Sequence, residues 1–412
     1  MYLSNSTAAP EPEPGSARPE GPPRRERCKH VPEFRELAAL SLSPYTLTVN
    51  SSLSTLDWSH FLARPRLPSP PLSVLDALYR RPILITGAGG SIGSALSQRA
   101  TALAPSALLL LDTSESRLYS LQQDWTLGGL PGAITTVLGS VADRTLLDEV
   151  FTAHAPRLVF HAAAFKHVPL LEVHPFAAIA NNVFGTLSLV RAAEGHNARV
   201  VLLSTDKAVE PSSVMGATKR ISEQVVLASG GIVLRLGNVL GTRGSVTETF
   251  AVQIATGKPL TITDPAARRY FLTVDEAVNL LLIAAAEADG PALLAPELAR
   301  PHYITDLAHF MASELDPEHS FDLDFIGTRP GDKDAERFWS RTETPRPANE
   351  LGLLTVQTPI LTDAELQTRL AALRSAVDTR DLSSALGELC GLVPDYSPSA
   401  VVQSLAGHRV SS

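Results

Sequence analysis

Residues 83–93 read Ile-Leu-Ile-Thr-Gly-Ala-Gly-Gly-Ser-Ile-Gly, and this stretch decides the fold class of the chain. Ile83–Thr86 is a short run of the β-branched and aliphatic type found in buried strands. Gly87, Gly90 and Gly93 follow it, and the residues after them have helical spacing. The stretch therefore predicts a strand, a tight glycine turn and a helix, the opening unit of a parallel α/β sheet.

The chain continues this alternation from residue 80 to about residue 240. Further short apolar runs occur at residues 107–111, 134–138, 158–161 and 200–204. Helical spacing of apolar residues marks residues 144–154 and 176–194. We therefore expect an α/β protein with a Rossmann-type doubly wound parallel sheet at 80–240. After residue 240 the alternation loosens, and we expect a smaller C-terminal substrate-binding lobe with helices at 241–400.

The ends of the chain differ in composition from this central part. Residues 1–30 are rich in Pro, Glu, Arg and Ser, which predicts a disordered tail because such a segment buries little apolar surface. Residues 31–79 contain short apolar stretches interrupted by prolines, which indicates an N-terminal extension and a linker. Residues 401–412 are interpreted as a second tail.

Composition and charge exclude several classes of protein. The 412 residues carry 35 Lys and Arg against 43 Asp and Glu, a formal net charge of −8, which is opposite to that of a general nucleic-acid binder. Two cysteines, Cys28 and Cys390, are too few for a disulfide scaffold or a four-cysteine zinc site. We expect no metal, no secretory signal and no membrane span, and therefore a cytoplasmic protein.

The glycine turn has the spacing of a dinucleotide site. Gly87 permits the tight turn, Gly90 lets the backbone approach a pyrophosphate, and Gly93 lets the helix pack closely on the strand. The backbone N–H groups at the start of that helix would meet the negative charge. The expected cofactor contacts here are Gly87, Gly90, Ser91, Ile92 and Gly93.

The end of the second strand favours NAD over NADP. Asp112 lies 25 residues after Gly87, at the end of the second apolar run. A carboxylate there can accept hydrogen bonds from the adenosine ribose and would repel a 2′-phosphate. We therefore expect NAD as the cofactor.

Reactive side chains follow two later strands. Small residues after the fourth strand, Ala162 and Ala164 among them, would let a cofactor lie against the backbone. Thr205, Asp206 and Lys207 follow the run at 200–204, and ligands bind at such carboxyl ends in open parallel sheets. Taken alone, Asp206 and Lys207 could equally form a surface ion pair in a turn.

Longer blocks carry a family resemblance over residues 80–400. They are FKHVPLLE (165–172), STDKAV (204–209), VMGATKR (214–220), RLGNVLGTRGSV (235–246), RYFLT (269–273) and RPG (329–331). With them the chain resembles the extended short-chain dehydrogenase/reductases, and specifically the CapD-like UDP-N-acetylglucosamine 4,6-dehydratases of bacterial polysaccharide biosynthesis. The resemblance implies a UDP-sugar substrate, NAD and a homo-oligomer.

The resemblance also implies a catalytic set of Thr205, Asp206, Lys207 and Lys219. Met215 stands where many relatives have a tyrosine, as in one branch of these dehydratases, and a thioether cannot take a proton from a sugar hydroxyl. The hypothesis is oxidation at carbon 4, elimination of water across carbons 5 and 6, and hydride return to carbon 6. Lys207 would be the base at carbon 5, with a depressed pKa, and Asp206 the acid at the 6-hydroxyl.

Further contacts are assigned by the same resemblance. Thr205 would bond the 4-hydroxyl and Lys219 the nicotinamide ribose. Additional cofactor contacts would come from Val141, Ala162, Ala164, Lys166 and Asn181. Expected substrate contacts are His167, Met215, Asn238, Arg243, Gly244, Ser245, Arg269 and Arg329.

Two other functions stay open at this point. A UDP-sugar 4-epimerase would use the same cofactor without an elimination, and a non-catalytic NAD-binding regulator would need no acid or base. The chain also departs from the family pattern at Ser140, Glu210, Ser213 and Glu248. These departures leave the fold expectation unchanged and bear on the substrate and the activity.

Overall fold

The main sheet is mostly parallel and begins with the glycine segment. In the computed structural model, nine strands from the described part of the chain form it, in the order β14-β15-β11-β6-β5-β4-β1-β2-β3. Its strands are β1 (Ile83–Thr86), β2 (Leu108–Asp112), β3 (Ile134–Leu138), β4 (Leu158–His161), β5 (Arg199–Thr205), β6 (Ile232–Leu236), β11 (Ala292–Pro296), β14 (Thr344–Pro347) and β15 (Leu353–Gln357). The α/β class with a Rossmann-type doubly wound sheet is confirmed.

The structure describes residue 53 and residues 55–128, 134–288, 290–348 and 351–407. These residues belong to one compact unit, residues 45–412. The expected tail at 1–30, much of the extension at 31–79, and Cys28 lie outside the described residues.

Helices cover both faces of the sheet. Those before residue 200 are α1 (Trp58–Leu62), α2 (Leu72–Leu78), α3 (Ser91–Thr101), α4 (Glu115–Gly128), α5 (Arg144–His154), α6 (Val168–Val173), α7 (Pro175–Ala178) and α8 (Gly185–Gly195). Those after it are α9 (Val214–Ala228), α10 (Val246–Ala255), α11 (Val274–Glu287), α12 (Ile304–Leu315), α13 (Asp363–Asp378), α14 (Leu382–Leu392) and α15 (Ala400–Gly407).

Strand β1 shows how the two faces are buried. All four of its residues are buried, and successive side chains point to opposite faces of the sheet. Leu84 therefore belongs to the core on one face, while Ile83 and Ile85 belong to the core on the other. Each such side chain contributes about 1.5–3 kcal/mol on burial, which explains why the parallel strands read as continuous apolar runs.

The register brings the strand ends of the candidate site to one edge. Thr86 at the end of β1 pairs with His161 at the end of β4, and His161 pairs with Leu202 of β5. Parallel strands point the same way, so the residues that follow β1, β4 and β5 emerge together. This edge carries the glycine turn and the segment 205–207.

The C-terminal half contributes to the main sheet and also forms three two-stranded sheets. Strand β11 pairs parallel with β6, and β15 pairs antiparallel with β11. The two-stranded sheets contain β7 (Asn238–Val239), β8 (Leu260–Ile262), β9 (Arg268–Arg269), β10 (Phe271–Leu272), β12 (His302–Tyr303) and β13 (Leu323–Phe325). The sheet therefore takes strands from both sides of residue 240, and the expected division there stays a prediction.

Part of the N-terminal extension is docked onto the C-terminal half. Phe61 at the end of α1 is buried and makes an edge-on contact with the ring of Phe271. The Arg64 guanidinium forms two hydrogen bonds to the Glu276 carboxylate, at 2.7 and 2.9 Å. Burial works to raise the pKa of Glu276, but Arg64 and the backbone donors outweigh it and hold that pKa below its usual range.

Two elements differ from the sequence expectations. The expected helix at 176–194 is interrupted by a π-helical segment, Ile179–Phe184, between α7 and α8. The expected tail from residue 401 is helical through Gly407, and Val402 in α15 is fully buried, so that expectation was wrong for residues 401–407. Residues 408–412 lie outside the described part.

One helical stretch needs comment because of its composition. Among the described residues, Pro175–Gly195 alone is long and apolar enough to span a membrane, and 67% of its most apolar window is buried inside the chain. A core helix of a folded domain meets the same criterion, so this stretch is weak evidence for a span.

Candidate active site

The glycine turn has the close backbone approaches that a dinucleotide cradle requires. Gly87 has φ +69°, and a Cβ there would lie 2.7 Å from the Ala162 carbonyl carbon. A Cβ on Gly93 would lie 2.1 Å from the Gly87 oxygen, so only glycine lets α3 approach the turn. Helix α3 begins at Ser91, with Ile92 in its first turn, so its first N–H groups face the turn. The residues present therefore fit a bound pyrophosphate.

Asp112 has a structural role, because its carboxylate accepts two backbone N–H groups. Its Oδ2 accepts the Gly89 N–H at 2.9 Å, and its Oδ1 accepts the Ser114 N–H at 2.8 Å. Each carboxylate oxygen has a further lone pair, so the group can still accept a ribose hydroxyl. Asp112 therefore both holds the glycine turn and lies where the sequence places the adenosine ribose.

The other expected cofactor residues surround the same edge. Val141 is buried, and Ala162 donates its N–H to the Thr86 carbonyl at 3.1 Å. Ala164 lies in the loop between β4 and α6. Lys166 donates to the Arg243 carbonyl at 2.7 Å, and burial, with Arg117 nearby, lowers its pKa.

The π-helical segment carries two asparagines of the site. Asn181 donates from Nδ2 to Asn182 Oδ1 at 3.0 Å. Asn182 accepts the Phe165 N–H at 2.9 Å and donates to the Phe165 carbonyl at 3.1 Å, fixing the loop after β4. Single π turns inside α-helices occur often at functional sites. The sequence predicted Asn181 but gave no signal for the π turn or for Asn182.

His161 is a structural residue below this loop. Burial, with Lys219 adding to it, lowers its pKa to about 3, so the ring is neutral. Thr186 donates its hydroxyl to the Asn182 carbonyl at 2.6 Å and therefore accepts from His161 Nε2 at 2.9 Å. His161 Nδ1 then accepts from the Thr86 hydroxyl at 2.7 Å. These contacts make His161 a hydrogen-bonded part of the fold.

The triplet 205–207 forms a tight cluster where β5 ends. A 3₁₀ turn, Asp206–Ala208, follows the strand directly. Thr205 Oγ1 donates to Asp206 Oδ1 at 2.9 Å, and Lys207 Nζ donates to the same oxygen at 3.0 Å. Lys207 Nζ also donates to Asn238 Oδ1 at 3.1 Å. The sequence-predicted residues Thr205, Asp206, Lys207 and Asn238 therefore lie together.

The Asp206 carboxyl is buried, and its pKa is raised. Its side chain is fully buried, and Oδ2 has no hydrogen-bond partner among the residues that the structure describes. Burial raises its pKa, Lys207 opposes this, and the net direction is upward. A buried carboxyl whose second oxygen lacks a donor takes up a proton more readily than an exposed one, while the neighbouring Lys207 favours the carboxylate.

The expected depression of the Lys207 pKa is wrong. Burial does work to lower it, as expected from the sequence. The Asp206 and Glu336 carboxylates outweigh burial and raise the pKa above its usual value. Lys207 is therefore an ammonium group, and it has to lose its proton before it can act as a base.

Lys219, in α9, contacts the strand that carries the triplet. Its Nζ donates to the Leu203 carbonyl of β5 at 2.8 Å. Burial lowers its pKa to about 8, against the attraction of Glu223. Its expected contact with a nicotinamide ribose stays a prediction.

Met215 lies in a small apolar cluster rather than in open space. Only 4% of it is exposed, and it belongs to a cluster with Val168 and Val402. Beside it, Glu172 accepts the Val214 N–H at 2.7 Å and the Ser399 hydroxyl at 2.5 Å, joining α6, α9 and the segment before α15. Sequence reasoning did not single out Glu172 as a link between these elements.

The loop at 241–245 crosses in front of the glycine turn. Arg243 donates its N–H to Ser91 Oγ at 3.1 Å. Gly244 has φ +67°, donates its N–H to Glu248 at 2.5 Å, and packs so closely on His167 that a Cβ would lie 2.5 Å from the ring. Ser245 Oγ donates to the Thr242 carbonyl at 2.6 Å. The expected substrate residues of this loop thus lie at the cofactor edge.

Arg269 and Arg329, the two other arginines among the expected substrate contacts, differ in burial and in hydrogen-bond partners. Arg269 is 9% exposed, and its guanidinium donates to the carbonyls of Lys333 at 2.7 Å and Asp334 at 3.0 Å. Arg329 is largely exposed and pairs with Asp332 at 2.9 Å. Arg269 therefore serves first to hold the segment 333–334, and a diphosphate contact would have to come from its remaining N–H groups.

Two charged residues of the site were missed from the sequence. Glu336 is 5% exposed and pairs with Lys333, at 2.8 Å between Oε2 and Nζ. Lys333 also donates to the Val209 carbonyl at 2.8 Å, two residues beyond Lys207. A signal was present, because both residues lie in the string DKDAE (332–336), directly after the family block RPG.

No metal site is evident in the ranges that the structure describes. No group of three or more His, Cys, Asp or Glu side chains there could hold an ion. Cys390 is a free thiol whose pKa is raised by burial.

The chain is similar to two kinds of known protein. The chain is 40% identical over 307 residues to the capsular polysaccharide biosynthesis protein CapD of Staphylococcus aureus, covering 72% of this chain and 51% of that protein. It is 34% identical over 284 residues to the UDP-glucose 4-epimerase of Rickettsia canadensis, covering 66% of this chain and 80% of that protein. The chain thus spans about half the length of the capsular relative.

A solved structure shares the fold. The X-ray structure of Pen from Bacillus thuringiensis superposes with a TM-score of 0.63 at 25% identity, covering 69% of this chain and 91% of that one. Residues 83–357 match the sequence family described as polysaccharide biosynthesis protein. That match runs from the first strand of the glycine turn to the last strand of the sheet and includes every residue of the triplet. The chain belongs to the polysaccharide biosynthesis protein family.

Proposed function

We propose that this protein is a nucleotide-sugar 4,6-dehydratase that acts on UDP-N-acetylglucosamine or a close UDP-hexose in polysaccharide biosynthesis. The observation that carries the proposal is the pairing of Asp206 and Lys207 at the carboxyl end of β5. One is a buried carboxyl with a raised pKa and an unpartnered Oδ2, and the other is a lysine bonded to it at 3.0 Å. An elimination needs such an acid and base side by side.

The cofactor would be NAD, held by the glycine turn and Asp112. When bound there, NAD⁺ would accept hydride from carbon 4 of the sugar and return it to carbon 6, so the net reaction is loss of one water. Gly87, Gly90 and Gly93 would give the backbone room for the pyrophosphate, and the N-terminus of α3 would meet its charge. The Asp112 carboxylate would select against a 2′-phosphate.

The triplet would perform the proton transfers. Asp206, protonated at Oδ2, would donate to the departing 6-hydroxyl, because that oxygen is the one without a partner in the described residues. Lys207 would take the proton from carbon 5 once it has become neutral. Thr205 donates to Asp206 Oδ1 at 2.9 Å, and would turn to the 4-hydroxyl when the sugar is present. Over the cycle, the proton released at the 4-hydroxyl would replace the one that Asp206 gives to the departing water. Lys207 would return its proton to carbon 5 when hydride reaches carbon 6.

A second candidate, a UDP-sugar 4-epimerase, is favoured by the 34% identical relative of that name. Met215 does not separate the two reactions, since both remove the 4-hydroxyl proton and a buried thioether can accept it in neither. What argues against the epimerase is that it has no use for an acid and a base at carbons 5 and 6. A non-catalytic NAD-binding regulator would leave the buried Asp206 without a purpose.

The test is incubation of the purified chain with UDP-N-acetylglucosamine and NAD⁺, followed by mass spectrometry of the nucleotide sugar. The proposal expects a product lighter by one water. An isomer of unchanged mass with an inverted carbon 4 by NMR would favour the epimerase. An unchanged substrate with retained NAD binding would favour the regulator.

Replacing the proposed base tests its role, and an exposed lysine elsewhere supplies the matched control. Lys207→Ala should lower the rate of water loss by about 10²–10⁴-fold, the range typical of a positioned acid or base. Lys258→Ala, at an exposed lysine in the loop after α10, should keep the wild-type rate. Full dehydration by the Lys207→Ala protein would refute the assignment of the base.

A further inference from the structure

A basic cleft lies at the edge of the main sheet where the parallel strands begin. Its volume is about 510 Å³, within the range of about 300–1,000 Å³ typical of ligand sites. Three arginines line it, Arg81, Arg157 and Arg199, with Asn197 and small alanine side chains from α2 and α11 between them. We call it the arginine cleft. Three positive charges meet there although the whole chain carries a formal net charge of −8.

The register of the sheet brings the three arginines together. Arg81 lies two residues before β1, Arg157 directly precedes β4, and Arg199 is the first residue of β5. The N–H of Arg157 donates to the Pro82 carbonyl at 2.9 Å, and the N–H of Arg199 donates to the Arg157 carbonyl at 3.0 Å. The cleft and Thr205 therefore lie at opposite ends of β5, about 20 Å apart at about 3.3 Å per residue.

Backbone carbonyls anchor two of the guanidinium groups without neutralising them. Arg157 Nη1 donates to the His196 carbonyl at the end of α8 at 3.1 Å, and Arg199 Nη1 donates to the Ala288 carbonyl after α11 at 2.6 Å. Each guanidinium has five N–H donors, so most of them remain for a ligand. In the ranges that the structure describes, no Asp or Glu lines the cleft, and none of the three arginines pairs with a carboxylate.

The donors of the cleft define the chemistry of its ligand. A guanidinium presents its N–H groups as a planar fork that matches two oxygens of a phosphate. Three such forks offer more donors than a single phosphate group can accept, which favours an anion with two phosphate groups. Asn197 supplies an additional amide donor. The concave shape and the alanine walls fit a compact anion in solution better than the flat surface of a membrane.

We propose that the arginine cleft is a binding site for a small soluble anion with two phosphate groups, separate from the nucleotide site at the other edge of the sheet. No residue of the cleft belongs to the glycine turn or to the triplet 205–207. The proposal therefore goes beyond the dehydratase function and does not depend on it.

Calorimetric titration of the full chain with inorganic pyrophosphate tests the site. NAD⁺ and UDP are present throughout, so that they compete for any diphosphate site at the carboxyl edge of the sheet. We expect saturable binding of one pyrophosphate, and binding should weaken as NaCl is added because salt screens the charges. Arg157→Gln should raise the Kd by about tenfold, the order expected for a lost hydrogen bond to a charged group.

Three further variants separate charge and geometry from folding. Arg81→Gln removes an exposed guanidinium that has no side-chain hydrogen bond to the described residues, so it should fold normally and still raise the Kd. Arg157→Lys keeps the charge but loses the fork, and its Kd should lie between those of the wild type and Arg157→Gln. Arg341→Gln, at an exposed arginine outside the cleft, should keep the wild-type Kd.

Chemical labelling locates the bound anion without any substitution. Phenylglyoxal modifies accessible guanidinium groups, and mass spectrometry of the peptides measures the extent of modification at each arginine. Arg81 and Arg157 are exposed, so the reagent can reach both. Pyrophosphate should protect these two arginines from modification and leave the modification of Arg341 unchanged.

Three results would overturn the proposal. The first is the absence of saturable pyrophosphate binding to the wild-type chain. The second is an unchanged Kd in the Arg81→Gln/Arg157→Gln double variant, which would place the anion elsewhere. The third is sedimentation of the chain with phosphatidylglycerol vesicles, lost in the double variant, without binding of pyrophosphate. That result would assign the cleft to a lipid surface.

Discussion

At the scale of single residues, close backbone contacts that only glycine allows determine the shape of the expected nucleotide-binding turn. Gly87 approaches the Ala162 carbonyl so closely that no side chain fits, and Gly93 approaches Gly87 more closely still. The carbonyls at these contacts cannot rotate away as a flexible side chain would. The room at the turn is therefore a property of the glycines themselves.

A Gly93→Ala substitution should disrupt the turn. Its Cβ would meet the Gly87 oxygen at 2.1 Å, so α3 has to move away, at a cost of about 1–3 kcal/mol in the free energy of unfolding and with loss of NAD binding. Thermal unfolding and calorimetric titration with NAD⁺ measure both effects. Gly387→Ala, inside α14 with open space around it, should instead stabilise by about 0.5–1 kcal/mol. Wild-type NAD affinity in Gly93→Ala would contradict the assigned pyrophosphate site.

Local patterns made much of the site predictable at this scale. The spacing of the glycines, Asp112 and the triplet lies within short stretches, and the structure gathers these residues at one edge of the sheet. The direction of the Lys207 pKa was predicted wrongly, because burial lowers it but the adjacent Asp206, and after it Glu336 from 129 residues away, raise it. Proximity in space across such a separation leaves no mark on the local sequence.

At the scale of elements, a buried charge network joins β6, α9 and the segment before β14. Arg235 is fully buried and donates to both Glu223 oxygens, at 2.9 and 2.7 Å, and to both Glu343 oxygens, at 2.8 and 3.0 Å. Burial works to raise the pKa of Glu343, but Arg235 and Arg220 outweigh it and bring that pKa to about 2. Ser204, next to the triplet, donates to Glu223 at 2.6 Å, so the network also supports the end of β5.

Breaking this network should be costly. Arg235→Met leaves the buried Glu223 and Glu343 carboxylates with Arg220, which pairs with them at 3.0 and 2.8 Å, and removal of one partner of a buried ion pair typically costs about 3–5 kcal/mol. Urea unfolding of the variant should show that loss in the free energy of unfolding. Arg341→Met, at an exposed position of the same segment, should change it by less than about 0.5 kcal/mol. Equal stabilities of the two variants would contradict the role given to the network.

Regular elements were predicted well where capping and periodicity agree. Helix α5 has the expected bounds, Arg144–His154, because Asp143 caps it and Ala155 ends it in the left-handed region. The π turn at Ile179–Phe184 was not predicted, since its apolar spacing also fits an α-helix. Helix α15 was missed because the Pro- and Ser-rich stretch before it suggested a loop.

At the scale of the whole molecule, the C-terminal helices α13 and α14 complete the core on one face of the sheet. Leu366, Leu370 and Leu373 of α13 lie in the same apolar cluster as Phe184 and Ile221. The guanidinium of Arg374 stacks over the Phe184 ring at 3.5 Å, and Arg191 of α8 donates to Gln367 at 3.0 Å. The two helices therefore cover the outer faces of α8 and α9.

Removing residues 362–412 should expose that face. Each buried leucine lost from the cluster forfeits about 1.5–3 kcal/mol, and the uncovered patch should drive self-association. Size-exclusion chromatography with light scattering is expected to show aggregates, and thermal unfolding a lower Tm. A chain ending at residue 407 keeps α13, α14 and α15 and is the control. A monodisperse, fully stable protein lacking residues 362–412 would contradict this account.

The assembly of the sheet from both halves could not be deduced from periodicity. Strands β11, β14 and β15 are short and lie among irregular segments, so the local pattern suggests a separate lobe. Their place in the sheet follows from long-range pairing, such as Leu294 with Thr355. The expected homo-oligomer stays a prediction.

The late arrival of Glu336 has a consequence for biosynthesis. A ribosome delivers the glycine turn and the triplet well before residues 333–343, and domains tend to fold as they emerge. A nascent chain that ends before residue 333 therefore carries the glycine turn and the triplet but lacks the Lys333–Glu336 ion pair. The electrostatic surroundings of Lys207 are complete only near the end of synthesis.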